Sequence, residues 1–504
     1  MTPLAKLVRG VLSLDPAASA IEFEGRWRTW GDLGRVVEGL DEALDQAGVG
    51  PGTRIGVMLR NHPLTAATLL EVAVSDRCVV TLNPSLPDER LANDILLLKP
   101  PVLVGLARDW ARAPVLTAAR EIGCMGLLLD EEADPPVQRV TGLETVTGKD
   151  LNRDAPGIVI EMLTSGTTGT PKRIPLKATS FDRGILEAGV FEGRAPDAPP
   201  ELRGGVQILN SPFAHIGGVF GLFVSVSAGR KSCLLEKFAV PIWADAIRRH
   251  RPKVASAPPS ALRMILDANV PREDLASLSA FRTSTAPLEP ELADEFFERY
   301  GVPVLQNYGA TEFAGGVAGW TLGDFRRHHQ AKRGSVGRLN PGVDGRVVDR
   351  DTGEILASGE EGLLELRAAQ LGDGKTWMRT TDLAVLDPER FLWIRGRYDN
   401  AIIRGGFKIL PDDIVRALEQ HPAVREAAVV GLRDARLGQT PAAAYILRSG
   451  AAPSSEAELM EFLRAKLLPY QMPTRLLRVE EMPRTPSLKV SQPDLAALFE
   501  STPA

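Results

Sequence analysis

The residues with the clearest chemical potential lie in one short stretch that combines hydroxyl side chains, two glycines and a lysine. Its members are Thr164, Ser165, Gly166, Thr167, Thr168, Gly169, Thr170, Pro171 and Lys172. Glycines let backbone N–H groups approach anionic oxygens, hydroxyls donate hydrogen bonds, and a lysine adds a point charge, so this stretch can wrap a polyphosphate. It is not a Walker A loop, which needs Gly-Lys-Ser/Thr, because Lys172 follows a proline. The alternative interpretation is a polar surface loop.

This string resembles the phosphate-binding signature of the adenylate-forming superfamily, which comprises acyl-CoA synthetases, peptide-synthetase adenylation domains and luciferases. A second string, from Asn307 to Glu312, resembles the superfamily's Tyr-Gly-x-Thr-Glu signature. The resemblance implies that Asn307, Tyr308, Gly309 and Thr311 contact ATP and that Thr311 and Glu312 are catalytic. ATP chemistry needs Mg²⁺, a hard cation that takes carboxylate oxygens, so Glu312 is the expected metal ligand.

By the same resemblance, further ATP contacts come from three short segments. The residues in these segments are Thr285, Ala286, Pro287, Asp382 and Arg397. A carboxylate such as that of Asp382 can accept hydrogen bonds from both ribose hydroxyls. Thr381, which precedes it, stands where the superfamily usually has glycine, and threonine makes the backbone there less permissive. For Arg397 the alternative is a surface ion pair.

A lysine near the C-terminus completes the expected catalytic set. The string that ends in Leu488 and Lys489 resembles the superfamily's Pro-x-x-Gly-Lys motif, whose lysine reaches the acyl carboxylate and the α-phosphate. The resemblance therefore makes Lys489 catalytic. Leu488 replaces the usual glycine of this motif. The alternative for Lys489 is a solvated surface lysine.

The resemblance also implies a second substrate, CoA, and a hinge. Arg404, Gly405 and Gly406 begin a string that resembles the loop of acyl-CoA ligases that enters the site for the second half-reaction. Two glycines let the backbone pass close to a narrow pantetheine tunnel, although a plain β-turn is the alternative. Asp399, after Gly-Arg-x, is where the superfamily places the hinge, and hinges absorb large φ/ψ changes.

The acyl pocket is expected from superfamily position and from small or apolar side chains. Its predicted members are Phe213, His215, Gly217, Gly218, Thr283, Phe313 and Gly315. His215 stands where acyl-CoA ligases commonly have histidine, and the resemblance gives it a catalytic role; the alternative is a core histidine. Amino-acid-activating relatives carry Phe-Asp where this chain has Phe213 and Ala214. Because a buried ammonium without that counter-ion is expensive, we expect an apolar carboxylic acid and not an amino acid.

Composition bounds the class of protein. The chain has 504 residues, 44% of them hydrophobic and 24% charged, and a net charge of −5, which gives no case for nucleic acid or an anionic membrane surface. Its three cysteines are far apart, which is typical of a reducing compartment. We expect no signal peptide and no membrane span. A cytoplasmic enzyme is therefore predicted, with a homodimer kept as an option.

Strands alternate with helices in the first part of the chain. Ile55–Leu59 and Cys78–Leu82 read as strands, and Pro63–Val74 between them reads as a helix, which indicates parallel strands with crossover helices. The segment from Arg183 to Arg203 contains a polar stretch with several prolines, which is expected to be a loop or insertion. After Gly334 the sequence turns to glycine-rich turns and short alternating runs.

These patterns and the resemblance together predict the architecture. The fold class is α/β, with a large N-terminal domain of parallel α/β layers plus a small β-rich subdomain, followed by a small mobile α+β C-terminal domain. A chain of this length should hold two or more domains. The expected division is 1–398 for the domain that binds ATP and the acyl group and 399–504 for the mobile domain.

The predicted activity has two steps. A carboxylate attacks the α-phosphate of ATP to give acyl-AMP and pyrophosphate, and the thiol of CoA then displaces AMP. Positioning and charge stabilisation carry both steps. The alternatives are a ligase that loads a phosphopantetheinyl carrier protein, a luciferase-like oxygenase, and a nucleotide-binding scaffold without turnover.

Overall fold

The structure is a computed structural model that describes residues 2–164, 172–191, 194–195, 198–405, 407–434, 436–450 and 455–501. The chain divides into two compact units. Within the described residues, the first unit comprises residues up to 164, 172–342 and 368–376, and the second comprises 343–367 and the chain from 377 onward.

Helices of the first unit form where apolar residues recur at helical spacing. They are α1 (Pro3–Leu14), α2 (Trp30–Gln46), α3 (Pro63–Val74), α4 (Asp88–Leu98), α5 (Ala107–Trp110), α6 (Ala113–Ile122), α7 (Ala178–Phe191), α8 (Ile216–Ser227), α9 (Val240–His250), α10 (Pro259–Asp267), α11 (Pro290–Tyr300) and α12 (Leu322–His328). Helix α2 begins at a capping box, in which Thr29 and Asp32 each accept from the other's backbone N–H. Helix α3 is buried along nearly its whole length, so it lies in the core.

The strands of the first unit form three sheets. They are β1 (Ser19–Phe23), β2 (Arg26–Thr29), β3 (Arg54–Met58), β4 (Cys78–Leu82), β5 (Val102–Leu106), β6 (Met125–Leu129), β7 (Val137–Arg139), β8 (Ile158–Thr164), β9 (Lys172–Lys177), β10 (Arg203–Leu209), β11 (Arg230–Leu234), β12 (Val254–Ser256), β13 (Ala280–Thr283), β14 (Val304–Ala310), β15 (Gly315–Gly319) and β16 (Arg338–Leu339). The orders are β7-β6-β5-β3-β4-β8-β9, β12-β13-β14-β15-β16 and β10-β11-β1-β2.

Parallel pairing dominates the interior of these sheets. The neighbours from β6 to β8 in the seven-stranded sheet are parallel, and β7 and β9 close its edges antiparallel. The predicted parallel α/β layers are therefore confirmed. The segment from Arg183 to Arg203 contains both a helix and the expected irregular stretch: α7 continues through its first part to Phe191, and the described residues 194–195 and 198–202 lie in no helix or strand. Phe181 and Ile185 are fully buried, and this apolar face holds the helix against the core.

The second unit contains two small sheets. Its strands are β17 (Asp344–Val348), β18 (Glu361–Arg367), β19 (Met378–Leu386), β20 (Leu392–Arg397), β21 (Ile402–Arg404), β22 (Phe407–Ile409), β23 (Val424–Asp434), β24 (Gly438–Leu447) and β25 (Arg475–Arg478), and its helices are α13 (Pro411–Glu419), α14 (Glu456–Arg464) and α15 (Gln492–Ser501). Strands β17 to β20 pair antiparallel in chain order, and the other sheet runs β22-β21-β24-β23 with β25 beside β24. The β-rich subdomain and the α+β C-terminal region are thus confirmed.

The predicted domain boundary at Asp399 falls inside the second unit, in a 3₁₀ turn over Tyr398–Asn400. It stays a prediction. Across the part of the chain that the structure describes, every helix is too short or too polar to cross a bilayer.

Candidate active site

The predicted phosphate-binding stretch connects two paired strands. Strand β8 ends at Thr164 and β9 begins at Lys172, and these two residues face each other in the antiparallel register. Between them, Ser165, Gly166, Thr167, Thr168 and Gly169, with the two residues that follow, lie outside the described residues, as do the side chains of Thr164 and Lys172. The ATP-binding role of this stretch stays a prediction.

The predicted metal ligand lies on a tight turn at the end of β14. That strand ends at Ala310, a 3₁₀ turn covers Thr311–Phe313, and β15 returns antiparallel. A Cβ on Gly309 would lie 2.5 Å from the carbonyl oxygen of Gly315, so only glycine allows the two strands to come this close. Glu312 is exposed on the turn, and within the described residues no basic side chain pairs with it. A carboxylate placed in this way fits a hard divalent cation.

Two predicted nucleotide contacts are brought together in the second unit. Asp382 on β19 and Arg397 on β20 are direct cross-strand partners. The Nη2 of Arg397 donates a 2.9 Å hydrogen bond to the Oγ1 of Thr381. Thr381 lies where the pairing of β18 with β19 shifts register, without a left-handed φ, so threonine is compatible with the backbone there and adds an acceptor for the arginine. A carboxylate and an oriented guanidinium side by side on neighbouring strands are suited to a ribose and a phosphate.

The predicted adenine and acyl segment follows β13. Thr285 has φ of +75°, a left-handed conformation that is strained for a β-branched residue. Thr283, at the end of β13, is 2% exposed, and its hydroxyl has no hydrogen-bond partner among the described residues. Buried hydroxyls are nearly always paired, so this group is available to a bound ligand.

The predicted acyl residues around α8 are fixed by a side chain that the sequence did not single out. Phe213 is fully buried, and its N–H donates a 2.9 Å hydrogen bond to the Oδ1 of Asn61. The Nδ2 of Asn61 donates to the carbonyl oxygens of Ser211 and Leu235. This buried amide therefore pins the loop that leads into α8, where His215 is the N-cap residue and is half-buried. In the sequence, Asn61 can be noticed as a polar residue that closely follows the buried strand β3.

The glycines that follow His215 differ in their surroundings. A Cβ on Gly218 would lie 2.3 Å from the carbonyl oxygen of Pro212, so the first turn of α8 packs directly on the preceding loop. Gly217 is exposed and faces open space. A small residue at this exposed position leaves room beside the histidine.

Phe220, one turn into α8, is a second residue that the sequence did not single out. A Cβ on Gly315 would lie 3.3 Å from the ring of Phe220, and one on Gly184 of α7 would lie 3.5 Å from it. The same Cβ on Gly184 would lie 2.7 Å from the carbonyl oxygen of Ala314. The aromatic ring therefore packs against two glycines, and one of them, Gly315, is a predicted pocket residue.

The predicted CoA loop lies at the hairpin of β21 and β22. Gly405 has φ of +56°, and its N–H donates to the carbonyl oxygen of Leu437, so glycine is required by the backbone. The Nη1 of Arg404 donates to the carbonyl oxygens of Tyr470 and Met472, at 2.9 Å each. Gly406 and the side chain of Asp399 lie outside the described residues. The CoA and hinge roles stay predictions.

The predicted catalytic lysine follows a tight turn in the second unit. The N–H of Leu488 donates to the carbonyl oxygen of Thr485, and the N–H of Thr485 donates to that of Lys489, both at 2.8 Å. Leu488 has φ of +63°, the left-handed conformation that the superfamily's glycine adopts readily. The turn therefore forms with leucine in the left-handed position, and Lys489 is half-buried at its end.

One other group of ligand-type side chains lies close together among the described residues: Glu22, Cys233 and His250, whose ligand atoms come within 4.8 Å of one another. The Nη1 of Arg249 lies 2.7 Å from Glu22 Oε1 and 3.1 Å from His250 Nε2, so a guanidinium already balances the buried carboxylate. Burial also raises the pKa of Cys233 to about 12, which keeps the thiol protonated. This group is an internal ion-pair network that fastens α9 to β1.

Comparison with known proteins identifies two matching family models. The model described as AMP-binding enzyme matches residues 12–374, and the model described as AMP-binding enzyme C-terminal domain matches residues 416–489. The sequence is 30% identical over 520 residues to indoleacetate–CoA ligase of Aromatoleum aromaticum, covering 96% of each chain. It is 27% identical over 504 residues to peroxisomal OPC-8:0-CoA ligase 1 of Arabidopsis thaliana, covering 95% of this chain and 89% of the relative.

Solved structures show the same fold. ATP-bound MatB from Rhodopseudomonas palustris superposes with a TM-score of 0.80 at 23% identity and covers 99% of each chain. The anthranilate CoA ligase AuaEII in complex with anthranoyl-AMP superposes with a TM-score of 0.77 at 21% identity, over 98% of this chain and 96% of that chain.

Proposed function

The chain belongs to the family of AMP-binding enzymes, and from that premise we propose how its own residues carry out acyl-CoA ligation. The enzyme is an ATP-dependent, AMP-forming acid–thiol ligase. A carboxylate oxygen of the acid attacks the α-phosphorus of ATP, which forms acyl-AMP and releases pyrophosphate. The sulfur of CoA then attacks the acyl carbon, AMP leaves with the bonding electrons, and the thiol proton goes to solvent.

The geometry within each unit supports a role for each residue that is proposed to bind the nucleotide. Asp382 accepts from the ribose hydroxyls, and Arg397, oriented by Thr381, donates to the nucleotide; their direct pairing across β19 and β20 supports this assignment. Glu312 would hold Mg²⁺, and its exposed carboxylate on the turn after β14 supports this role. Bound with ATP, the ion would neutralise phosphate charge. Lys489 donates to the developing charge at the α-phosphate during adenylation.

The acid is proposed to be a compact, aromatic or arylacetic acid and not an amino acid. The observation that carries this proposal is the packing of Phe220 against Gly184 and Gly315, which places a bulky apolar ring beside a predicted pocket residue. Ala214 stands where an ammonium counter-ion would be needed. The name of the indoleacetate–CoA ligase, 30% identical, points to the same class of acid.

A panel of acids tests the proposal. Pyrophosphate release is measured with the full-length protein, Mg·ATP and arylacetic, cinnamic, benzoic, long straight-chain and amino acids, and thioester formation is then measured with CoA. We expect release with one or more aromatic acids and a CoA thioester as product. Activity confined to amino acids would overturn the substrate assignment. Turnover only when a phosphopantetheinyl carrier protein replaces CoA would overturn the acceptor.

The cellular compartment of the enzyme is also a proposal. We place the enzyme in the cytoplasm, supported by three cysteines that are all free and buried. Fractionation of the native cells, followed by an antibody against this chain, measures the compartment directly.

A further inference from the structure

The turn that carries Lys489 is held by an ion pair that the motif does not include. The Nη2 of Arg484 donates to both carboxylate oxygens of Glu426, at 2.7 and 2.8 Å, and its Nη1 donates to the carbonyl oxygen of Leu488 at 3.1 Å. Both side chains of the ion pair are about four-fifths buried, at 19% and 20% exposure. The arginine therefore connects strand β23, where Glu426 lies, to the peptide immediately before Lys489.

The backbone of this turn is strained at one residue. Its hydrogen bonds are those of a hairpin loop in which a β-turn is followed by a left-handed residue, a position where glycine is the ordinary choice. Arg484 and Val490 form an antiparallel bridge that closes the hairpin. Leu488 occupies the left-handed position with φ of +63°, and an L-residue with a side chain resists that conformation. The hydrogen bond from the Arg484 side chain to the carbonyl oxygen of Leu488 opposes relaxation of this peptide.

We propose that Arg484 and Glu426 form a clamp that holds the left-handed Leu488 turn and thereby positions Lys489. The inference rests on the proposed function only for the role of Lys489 in adenylation. Partly buried, charge-assisted hydrogen bonds are roughly twice as strong as neutral ones, which suits them to hold a strained backbone. In this chain the clamp does by side-chain contact what glycine does by backbone freedom in the superfamily motif.

The clamp makes a selective functional prediction. Lys489 is proposed to act while negative charge develops at the α-phosphate, so a displaced turn lowers the rate of acyl-AMP formation. Transfer from acyl-AMP to CoA does not use this lysine in the proposed scheme. Arg484 and Glu426 are positioning residues, because neither is placed against the substrate.

The test separates the two half-reactions. Arg484→Met and Glu426→Gln are assayed for acyl-AMP formation from acid and Mg·ATP, and for thioester formation from acyl-AMP supplied ready-made. We expect Arg484→Met to lower the kcat of the first step about tenfold or more, with the second step within about twofold of wild type. Arg464→Met is the matched control, because it removes an exposed arginine that pairs with Glu461 on α14 of the same unit; both steps should be unchanged.

Rescue by glycine distinguishes the clamp from a general loss of stability. Leu488→Gly in the Arg484→Met background removes the strain that the clamp opposes, so it should restore most of the adenylation rate. Equal loss of both half-reactions in Arg484→Met, or no restoration by glycine, would overturn the clamp.

A readout without catalysis makes the inference independent of the proposed function. Hydrogen exchange of the Leu488 amide, which is bonded to the carbonyl oxygen of Thr485, reports whether the turn is closed. We expect faster exchange in Arg484→Met and a return toward the wild-type rate with Leu488→Gly added. Unchanged exchange in Arg484→Met refutes the clamp. If wild-type protein adenylates no acid while exchange behaves as expected, the proposed function fails and the clamp stands.

Discussion

Replacing Phe220 by alanine should change which acids the enzyme accepts. The ring of Phe220 would be 3.3 and 3.5 Å from a Cβ built on Gly315 and Gly184, so it fills the space between α8, α7 and β15. Phe220→Ala removes the ring and leaves both glycines facing the vacated volume. The ring bounds the proposed acyl pocket, so its removal gives longer acids room there.

The expected magnitude follows from the size of the removed group. One methylene in an apolar pocket is worth about 1–3 kcal/mol of discrimination, or roughly 10- to 200-fold in kcat/KM. An acid extended by one methylene should therefore gain about 10- to 200-fold in kcat/KM relative to the preferred wild-type acid. The variant should also lose stability by less than the ~3–5 kcal/mol of a fully buried phenylalanine, because Phe220 is only partly buried.

Phe223 offers a matched control on the same helix. It is fully buried and packs edge-on against Phe181, with ring centroids 5.1 Å apart. Phe223→Leu should lower the melting temperature and leave the ranking of acids unchanged. Steady-state pyrophosphate release over a chain-length series is measured for wild type and both variants. An identical ranking of acids in wild type and Phe220→Ala would show that the ring does not bound the acyl pocket.

Three further outcomes are expected. Lys489→Ala should raise the activation free energy of acyl-AMP formation by about 3 kcal/mol and largely spare thioester formation from supplied acyl-AMP. Asp399→Pro should instead slow the second step more than the first. Separate assays of the two half-reactions measure both effects. Glu312→Gln should weaken the Mg²⁺ dependence of adenylation in a metal titration. Burial lowers the pKa of His62 to about 4, so the fold should lose up to roughly 3 kcal/mol as pH falls from 6.5 to 4. Urea unfolding across that range should show a smaller loss for His62→Asn.

The sign of the His62 effect follows from its contacts. Its ring is packed edge-on against Phe23, and its Nδ1 accepts a hydrogen bond from the Leu64 N–H at the start of α3. An accepting nitrogen must be unprotonated, so the folded state favours the neutral ring. The stabilisation is complete above the unfolded pKa of 6.5 and is lost as the pH approaches 4.

Sequence reasoning succeeded where chemistry and periodicity lie within one segment. Helix α3 and strand β4 have the predicted bounds because a proline start, a continuous apolar run and a short β-branched run each belong to a single stretch. Helix α1 was missed although Leu4, Val8 and Val11 recur at helical spacing and are buried. The start of this helix is marked by Thr2, whose hydroxyl accepts a hydrogen bond from the Ala5 N–H.

The missed site residues have a different physical origin. Phe220 on α8 packs beside Gly184 on α7 and Gly315 on β15. Arg484 matters through Glu426, 58 positions away on β23. Neither pair leaves a local pattern, because such contacts exist only after the elements pack. Motif spacing can name a reacting residue, but the residues that hold it in place become visible only in the fold.

The two departures from superfamily glycines bear on whether this chain retains turnover. A scaffold without activity would be expected to lose the shape of the motifs in which Thr381 and Leu488 stand. Leu488 instead keeps the left-handed φ of +63°, and the carbonyl oxygen it presents is bound by Arg484. Thr381 lies on β19 without a left-handed φ and accepts from Arg397. Each replacement is thus matched by a contact that preserves the position of a predicted catalytic or nucleotide-binding residue. That pairing favours a working ligase over a nucleotide-binding scaffold, and ATP–pyrophosphate exchange with an aromatic acid measures the difference directly.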